Sequence, residues 1–282
     1  MADKKLVTFS ARDAARCIIT PSDIDNKYSR GVLGLITGSA QYPGAAVLTT
    51  SAALATGLGM ARFHSSSGLA HLVLHGAPET VVQPGPVTAW LAGSGIDSAK
   101  YGDVTTWLRH RWFSLLKAQS VPTVLDAGCL HLAGTLSQPT LITPHAGELS
   151  KLLARHAITV SSEAVEADPR TWALRTAQLL NTCVLVKGSR TVIAYGDRVI
   201  SLGKATPWLA TAGSGDVLAG IIGALVATNY IEILNSSQRI AHVAAAGAFI
   251  HNKAALLASA GGPISASQII DQIQPVIRTL LK

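Results

Sequence analysis

Short, continuously apolar runs alternate with longer alanine-rich ones along this chain of 282 residues. Residues 31–36 (GVLGLI) predict a buried strand, with turn residues following at Gly38, Ser39, Tyr42, Pro43 and Gly44. Residues 45–60 are mostly small and apolar and predict a close-packed helix. A second strand is predicted at 69–74 and a third at 88–91, ending at Gly93, Ser94 and Gly95. Residues 101–118 predict a helix with Trp107, Leu108, Trp112 and Leu115 on one face. Strands are expected at 122–126 (PTVLD) and 140–143, and helices at 148–154 and 169–180. Residues 183–187 (CVLVK) predict another strand, and 191–195 pairs with 198–202 as a hairpin around Gly196 and Asp197. Helical segments at 217–227 and 239–257 close the series.

Apolar strands each followed by a helix predict an α/β fold with a mostly parallel central sheet and helices on both faces. No internal repeat, low-complexity tract or linker interrupts the pattern, so a single domain over residues 1–282 is expected. Ligands of such sheets sit beyond the carboxyl ends of the strands. Each glycine-rich or polar motif of this chain follows a predicted strand.

Composition narrows the partners. Apolar residues make up 48% of the chain but aromatics only 5%, which suits small side chains at helix–sheet contacts. Lys and Arg total 23 against 16 Asp and Glu, a net charge of +7 spread thinly along the chain. There is no dense basic stripe with interleaved aromatics, so nucleic acid is not an expected partner. The diffuse positive charge suits small polyanions such as nucleotides, or simple solubility. Cys17, Cys129 and Cys183 are far apart and form no CxxC pair, so they read as small buried hydrophobes in a reducing compartment. Lys4 and Lys5 are followed by no apolar leader, and no run reaches about 18 apolar residues. A cytoplasmic protein without a membrane span is expected.

The segment 211–220 (TAGSGDVLAG) carries the sharpest chemistry. Gly213, Ser214 and Gly215 let main-chain amides approach an anion, and the helix behind them adds its positive end. Asp216 then reads either as a proton acceptor for an attacking hydroxyl or as an ordinary helix-cap charge. Residues 143–148 (TPHAGE) follow a strand and open a helix. His145 can face a substrate and Glu148 a hydrated Mg²⁺, or Thr143 and Glu148 can form a cap. Lys187, Gly188, Ser189, Arg190 and Thr191 end a buried strand and read as a nucleotide contact or as a basic hairpin tip. Asp126 fits a phosphate or metal site and a helix cap equally. His71 and His75, read as sheet positions, have no third ligand for zinc. His242 and His251 fall in an alanine-rich helix and read as core. Ser214 has no base partner for a hydrolase triad.

Taken in order, these segments resemble the ADP-dependent NAD(P)H-hydrate dehydratases, a nicotinamide-repair branch of the ribokinase-like superfamily. The resemblance runs over roughly residues 20–255. It is carried by residues 27–31 (KYSRG), by Gly38, Ser39 and 42–46 (YPGAA), by Gly93-Ser94-Gly95, and by 143–148, 187–191 and 213–220. Three positions depart from the family's pattern. Ser94 replaces the proline of Gly-Pro-Gly, Gly128 replaces the second acid of Asp-Ala-Asp-Ala-Leu, and Asn26 stands where histidine is frequent.

The resemblance implies a ribokinase-like fold and a lyase that returns the S epimer of NAD(P)H hydrate to NAD(P)H at the expense of ADP. The hydroxyl at C6 is phosphorylated and phosphate then leaves. It implies Asp216 as the catalytic base and Ala45, Gly95, His145 and Asp216 as substrate contacts. Gly213, Ser214 and Gly215 would hold the moving phosphoryl group. Lys187, Gly188, Ser189, Arg190, Thr191 and Gly215 would hold ADP, with Mg²⁺ carried through water by Glu148. A homotetramer is implied, with a separate NAD(P)H-hydrate epimerase as functional partner. Two rivals share the motifs: a vitamin-precursor kinase (hydroxymethylpyrimidine, thiazole or pyridoxal type) and a nucleotide-binding regulator with weak or no turnover.

Overall fold

The computed structural model describes residues 6–97 and 111–282. Among them, nine strands form one sheet: β1 (Leu6–Thr8), β2 (Val32–Ile36), β3 (Met60–Phe63), β4 (Ala89–Ala92), β5 (Thr123–Leu125), β6 (Thr140–Ile142), β7 (Cys183–Val186), β8 (Val192–Tyr195) and β9 (Arg198–Ser201). Their order across the sheet is β1-β9-β8-β7-β6-β5-β4-β2-β3. From β3 to β7 every neighbouring pair is parallel. The β8–β9 hairpin reverses direction, and β1 lies parallel to β9.

Side chains of a strand alternate between two faces, and here both faces are buried. Leu33, Leu35, Leu91, Val124, Leu141 and Leu185 point into one core layer with the helices Pro43–Ala55, Ser214–Thr228 and Arg239–Ser259. Val32, Ile36, Trp90, Leu125, Ile142 and Val184 point into the other, with Ala146–Ala154 and Pro169–Leu180. The expected sheet with helices on both faces is therefore present. Alanines 52, 53, 219 and 224 are buried where the first layer's helices meet, which accounts for the many small residues.

Two sequence expectations need correction. Residues 69–74 are not a strand but the middle of the helix Ser67–Gly76. Leu69, Ala70 and Val73 face the core at helical spacing, while His71 and His75 are exposed on the outer side. The missing strand is β3, in residues read partly as the end of the preceding helix. That helix stops at Ala55, and Gly57 takes a φ of 98° in the turn that follows. Most of the helix expected at 101–118, including Trp107 and Leu108, lies outside the described residues; Ser114–Ala118 is helical. Short helices at Ala266–Asp271 and Ile273–Leu280 were not anticipated. Cys17, Cys129 and Cys183 are buried and in no disulfide.

The helix Arg239–Ser259 is long and apolar enough to cross a membrane, with a mean hydropathy of 1.2, but 67% of that window is buried inside the fold. It packs against Ser214–Thr228 as a core helix.

Candidate active site

Four adjacent parallel strands, β4 to β7, end side by side. Ser94, Asp126, Thr143 and Lys187 lie one or two residues past those ends. Their side chains converge on Asp126, which is only 3% exposed. Thr143 Oγ1 donates to Oδ1 at 2.7 Å, Lys187 Nζ to the same oxygen at 2.9 Å, and Ser94 Oγ to Oδ2 at 2.9 Å. Burial alone would raise the Asp126 pKa, but the Lys187 charge and these hydrogen bonds outweigh it and hold the carboxyl below its usual range. Burial likewise works against the Lys187 charge, and the Asp126 and Glu148 carboxylates overcome it and hold the ammonium above its ordinary pKa. Asp126 makes no side-chain cap bond to the 3-10 turn Ala127–Leu132 that follows. The cap reading of Asp126 is therefore not realised; its carboxylate is taken up by Ser94, Thr143 and Lys187.

Lys187 is fixed by its main chain as well, whose N–H donates to the Pro144 carbonyl at 2.9 Å. This ties the end of β7 to the segment carrying His145. His145 is the N-cap of the helix Ala146–Ala154: Nδ1 accepts from the amides of Gly147 at 3.1 Å and Glu148 at 3.4 Å. With Nδ1 accepting, the proton of the neutral ring lies on Nε2. Glu148 Oε2 in turn accepts from the His145 amide at 2.9 Å and stands 3.7 Å from Lys187 Nζ. The cap uses histidine, not threonine, and Glu148 both completes it and faces the site.

The glycine turn comes from the opposite side. Gly213 has a φ of 86°, and a Cβ there would come within 2.6 Å of Leu48 Cδ1, so the position needs glycine on two grounds. The helix begins at Ser214, whose hydroxyl donates to the Leu209 carbonyl at 2.9 Å. Of the residues expected to hold phosphate, Gly213 is the N-cap and the Ser214 amide bonds the Thr211 carbonyl at 3.4 Å. The Gly215 amide, joined by that of Asp216, is one that a first helical turn leaves without an intrahelical acceptor. Asp216 is half-buried. Burial, then the neighbouring Asp126 charge, push its carboxyl up to about 6, against the pull of Lys187. Lys187 is thus surrounded by three carboxylates, and a Cβ on Gly215 would stand 3.8 Å from its Nζ.

Two cavities meet at His145. The larger, about 590 Å³, is lined by Lys187, Gly188, Ser189, Thr191, Ser214 and Gly215, with an apolar wall from Pro207, Leu209, Ala210 and Leu218. The smaller, about 420 Å³, is bounded by Tyr42, Gly128, His131, Glu148, Lys151 and Arg155. Ala45 and Gly95 are in direct contact: a Cβ on Gly95, whose φ is 66°, would collide with the Ala45 methyl. Arg190 is exposed, as Gly188 and Ser189 are, but unlike them it does not line the larger cavity. Sequence reasoning missed Ser94 as a partner of Asp126, the wall at 204–210, and His251 and Asn252, which also line the larger cavity.

One family pattern, that of NAD(P)H-hydrate dehydratase, matches residues 33–275. The chain belongs to this family. It is 38% identical over 243 residues to a bifunctional NAD(P)H-hydrate repair enzyme of Mycobacterium tuberculosis, covering 81% of this chain and 47% of that protein. The chain spans about half the length of the bifunctional relatives it matches. An ADP-dependent (S)-NAD(P)H-hydrate dehydratase of Neisseria meningitidis is 30% identical over 276 residues, covering 90% of this chain and 86% of that one. In fold, the chain is similar to the Bacillus subtilis ADP/ATP-dependent NAD(P)H-hydrate dehydratase crystallised with ATP/Mg²⁺, with a TM-score of 0.81 at 20% identity, covering 99% of this chain and 100% of that one.

Within this dehydratase-family fold, the three departures acquire physical meaning. Ser94 supplies a hydroxyl to Asp126 that proline could not. Gly128 lies against the Ile96 carbonyl, where any Cβ would collide, so this loop has no room for a second carboxylate. Asn26 accepts from the amides of Tyr28 and Ser29 at 2.9 and 3.2 Å in a turn before β2, at the opposite end of the strands from the site.

Proposed function

We propose that this chain dehydrates the S epimer of NAD(P)H hydrate, using ADP as phosphoryl donor. The observation that carries the reading is Asp216: a half-buried carboxyl with a pKa of about 6, in the first turn of a helix that follows a glycine turn, and next to Lys187. A base with a pKa close to the working pH is well matched to taking a proton from an alcohol.

In this account ADP occupies the larger cavity. Its base rests against Pro207, Leu209, Ala210 and Leu218, and its phosphates approach Lys187 and the amides of Gly215 and Asp216. Gly188, Ser189 and Thr191 complete that contact, while exposed Arg190 is left to solvent or the outer phosphate. The hydrated ring lies by Gly95, Ala45 and His145, and the rest of the dinucleotide extends along the smaller cavity towards Lys151 and Arg155. Asp216 takes the proton of the C6 hydroxyl as its oxygen bonds to the terminal phosphorus of ADP, and AMP departs. The ring nitrogen's electron pair then expels phosphate from C6, and loss of a proton from the adjacent carbon restores the double bond. Phosphate is a far better leaving group than hydroxide, which is the reason to spend ADP.

Among the described residues no group of three or more His, Cys, Asp and Glu is arranged to hold a metal ion. That suits Mg²⁺ carried mainly by phosphate oxygens and water, with Glu148 as a carboxylate within reach. Such an ion would neutralise phosphate charge. A cytoplasmic homotetramer with an epimerase as companion belongs to the same proposal. Ile231, Leu234, Leu256 and Leu257, all exposed, offer apolar surface for self-association.

The test is incubation of the chain with hydrated NADH plus ADP or ATP, following absorbance in the NADH band. Recovery with a nucleotide and none without supports the reading. No recovery, with phosphorylation of a vitamin-precursor alcohol instead, replaces it with the kinase alternative.

A further inference from the structure

Lys151 and Arg155 both line the smaller cavity, and both are exposed. They stand four residues apart at the end of the helix Ala146–Ala154, with Arg155 as its C-cap, and so share one face of it. The helix dipole favours positive charge at this end. It gives no reason for two cations one above the other, since like charges at that spacing repel.

The described residues do not neutralise the pair. Neither Lys151 nor Arg155 forms an ion pair among them. Two acids line the same cavity, Asp97 and Glu148, and neither pairs with them. Glu148 is engaged elsewhere: its Oε2 accepts from the His145 amide at 2.9 Å and stands 3.7 Å from Lys187 Nζ. The His131 ring donates from Nδ1 to the Gly128 carbonyl at 2.8 Å, and burial, aided by the Arg155 charge, holds it below its ordinary pKa. Arg155 therefore acts on a ring that is neutral at physiological pH and offers it no counter-charge.

Two uncompensated cations at the end of a cleft suit an anion with two charges. Their distance from His145 says which anion that is. Lys151 is six residues beyond His145, about 9 Å along the helix axis, and Arg155 is about 6 Å further. With the hydrated ring at His145, the groups that follow outward are a ribose, the pyrophosphate, a second ribose and adenine. The pyrophosphate is the first anion reached, one ribose from the ring, and each of its two phosphates carries a charge. The 2′-phosphate that distinguishes NADPH hydrate lies beyond the second ribose.

We propose that Lys151 and Arg155 grip the pyrophosphate of the hydrated dinucleotide, so that NADH hydrate and NADPH hydrate are held by the same contact. This rests on the reading of the smaller cavity as the hydrate's site and names the group bound there. It gives the two residues a binding role and no part in the phosphoryl transfer.

The test is steady-state kinetics with NADH hydrate and NADPH hydrate in turn, at saturating ADP and at low and high NaCl. The proteins are wild type, Lys151→Met, Arg155→Met, the double variant and Lys151→Arg, with melting temperatures measured on the same samples. The double variant should raise the KM for both hydrates about tenfold, with kcat and the KM for ADP near the wild-type values. Lys151→Arg, which keeps the charge, should stay close to wild type. Salt should raise the wild-type KM for both hydrates and have less effect on the double variant. A rise confined to NADPH hydrate overturns the proposal, because the pair then holds the 2′-phosphate. An unchanged KM for both hydrates also overturns it and leaves the dehydratase reading standing. So does a parallel rise in the KM for ADP with a lower melting temperature, because the damage is then to the fold. Failure of wild type to turn over either hydrate removes the proposed function itself.

Discussion

The ammonium of Lys187 and the carboxylate of Asp126 form a 2.9 Å ion pair across the ends of β7 and β5, with β6 between them. Removing one member strands the other charge in the interior. Lys187→Met should therefore cost about 3 kcal/mol or more. Asp126→Asn combined with Lys187→Met should recover part of that loss, as a double-mutant cycle by urea denaturation would register. Equal loss in the single and double variants would show that the pair is not coupled. The depressed Asp126 pKa adds a sign. Its stabilisation is present above the ordinary carboxyl value of 3.8 and is lost as pH falls through the lower folded value.

Asp216 works in the opposite direction. Its pKa rises from 3.8 to about 6 on folding, so the folded chain holds the proton more tightly between those values. Stability on this account falls as pH rises across that window, and above it the charged carboxyl is a standing penalty. Asp216→Asn should raise the melting temperature at pH 8, by on the order of 1–2 kcal/mol of stability once solvent screening is allowed for. The gain should vanish near pH 3.5. A variant less stable than wild type at pH 8 contradicts the strained-carboxylate picture.

Ser94 replaces the proline frequent in the family and donates to Asp126 Oδ2. Ser94→Ala should lose about 1 kcal/mol. Gly128→Asp, which restores the family's residue, should do more harm, about 2 kcal/mol, because its Cβ meets the Ile96 carbonyl. Thermal unfolding of both variants decides the order. If Gly128→Asp is neutral or stabilising, the loop is more accommodating than its packing indicates.

Gly95→Ala forces a side chain into the Ala45 methyl at a φ of 66°. The two glycine-rich loops should separate, costing about 1–3 kcal/mol and raising the KM for the hydrate more than that for ADP. An equal rise in both values would place Gly95 away from the hydrate.

Much of the fold was legible because most strands are continuous apolar runs bounded by glycine or proline. Where that signal failed, the reasons are local. Residues 69–74 read as a strand because Leu72, exposed on the outer side of the helix, joins the buried Leu69, Ala70 and Val73 and the half-buried Leu74 into one largely apolar run. β3 was hidden because it contains Arg62, a charged residue that is nonetheless 8% exposed. Its guanidinium donates to the Gln83 and Pro86 carbonyls at 2.7 and 3.2 Å. The motifs at 143–148, 187–191 and 213–220 were visible because each has its own turn chemistry. The bonds from Ser94, Thr143 and Lys187 to Asp126 were not, since they depend on which strands lie side by side. Lys151 and Arg155 gave no local sign at all: two cations on an exposed helix face become informative only once the cavity beside them is known.

The most direct measurement is the rate of ADP-dependent NADH recovery from its hydrate by wild type and Asp216→Asn, with ADP affinity measured on the same samples. Asp216 as proton acceptor predicts a rate lower by roughly 10²–10⁴ in the variant, near-unchanged ADP binding, and a wild-type rate that climbs as pH passes through about 6. A variant that retains the wild-type rate within a few-fold would contradict the account.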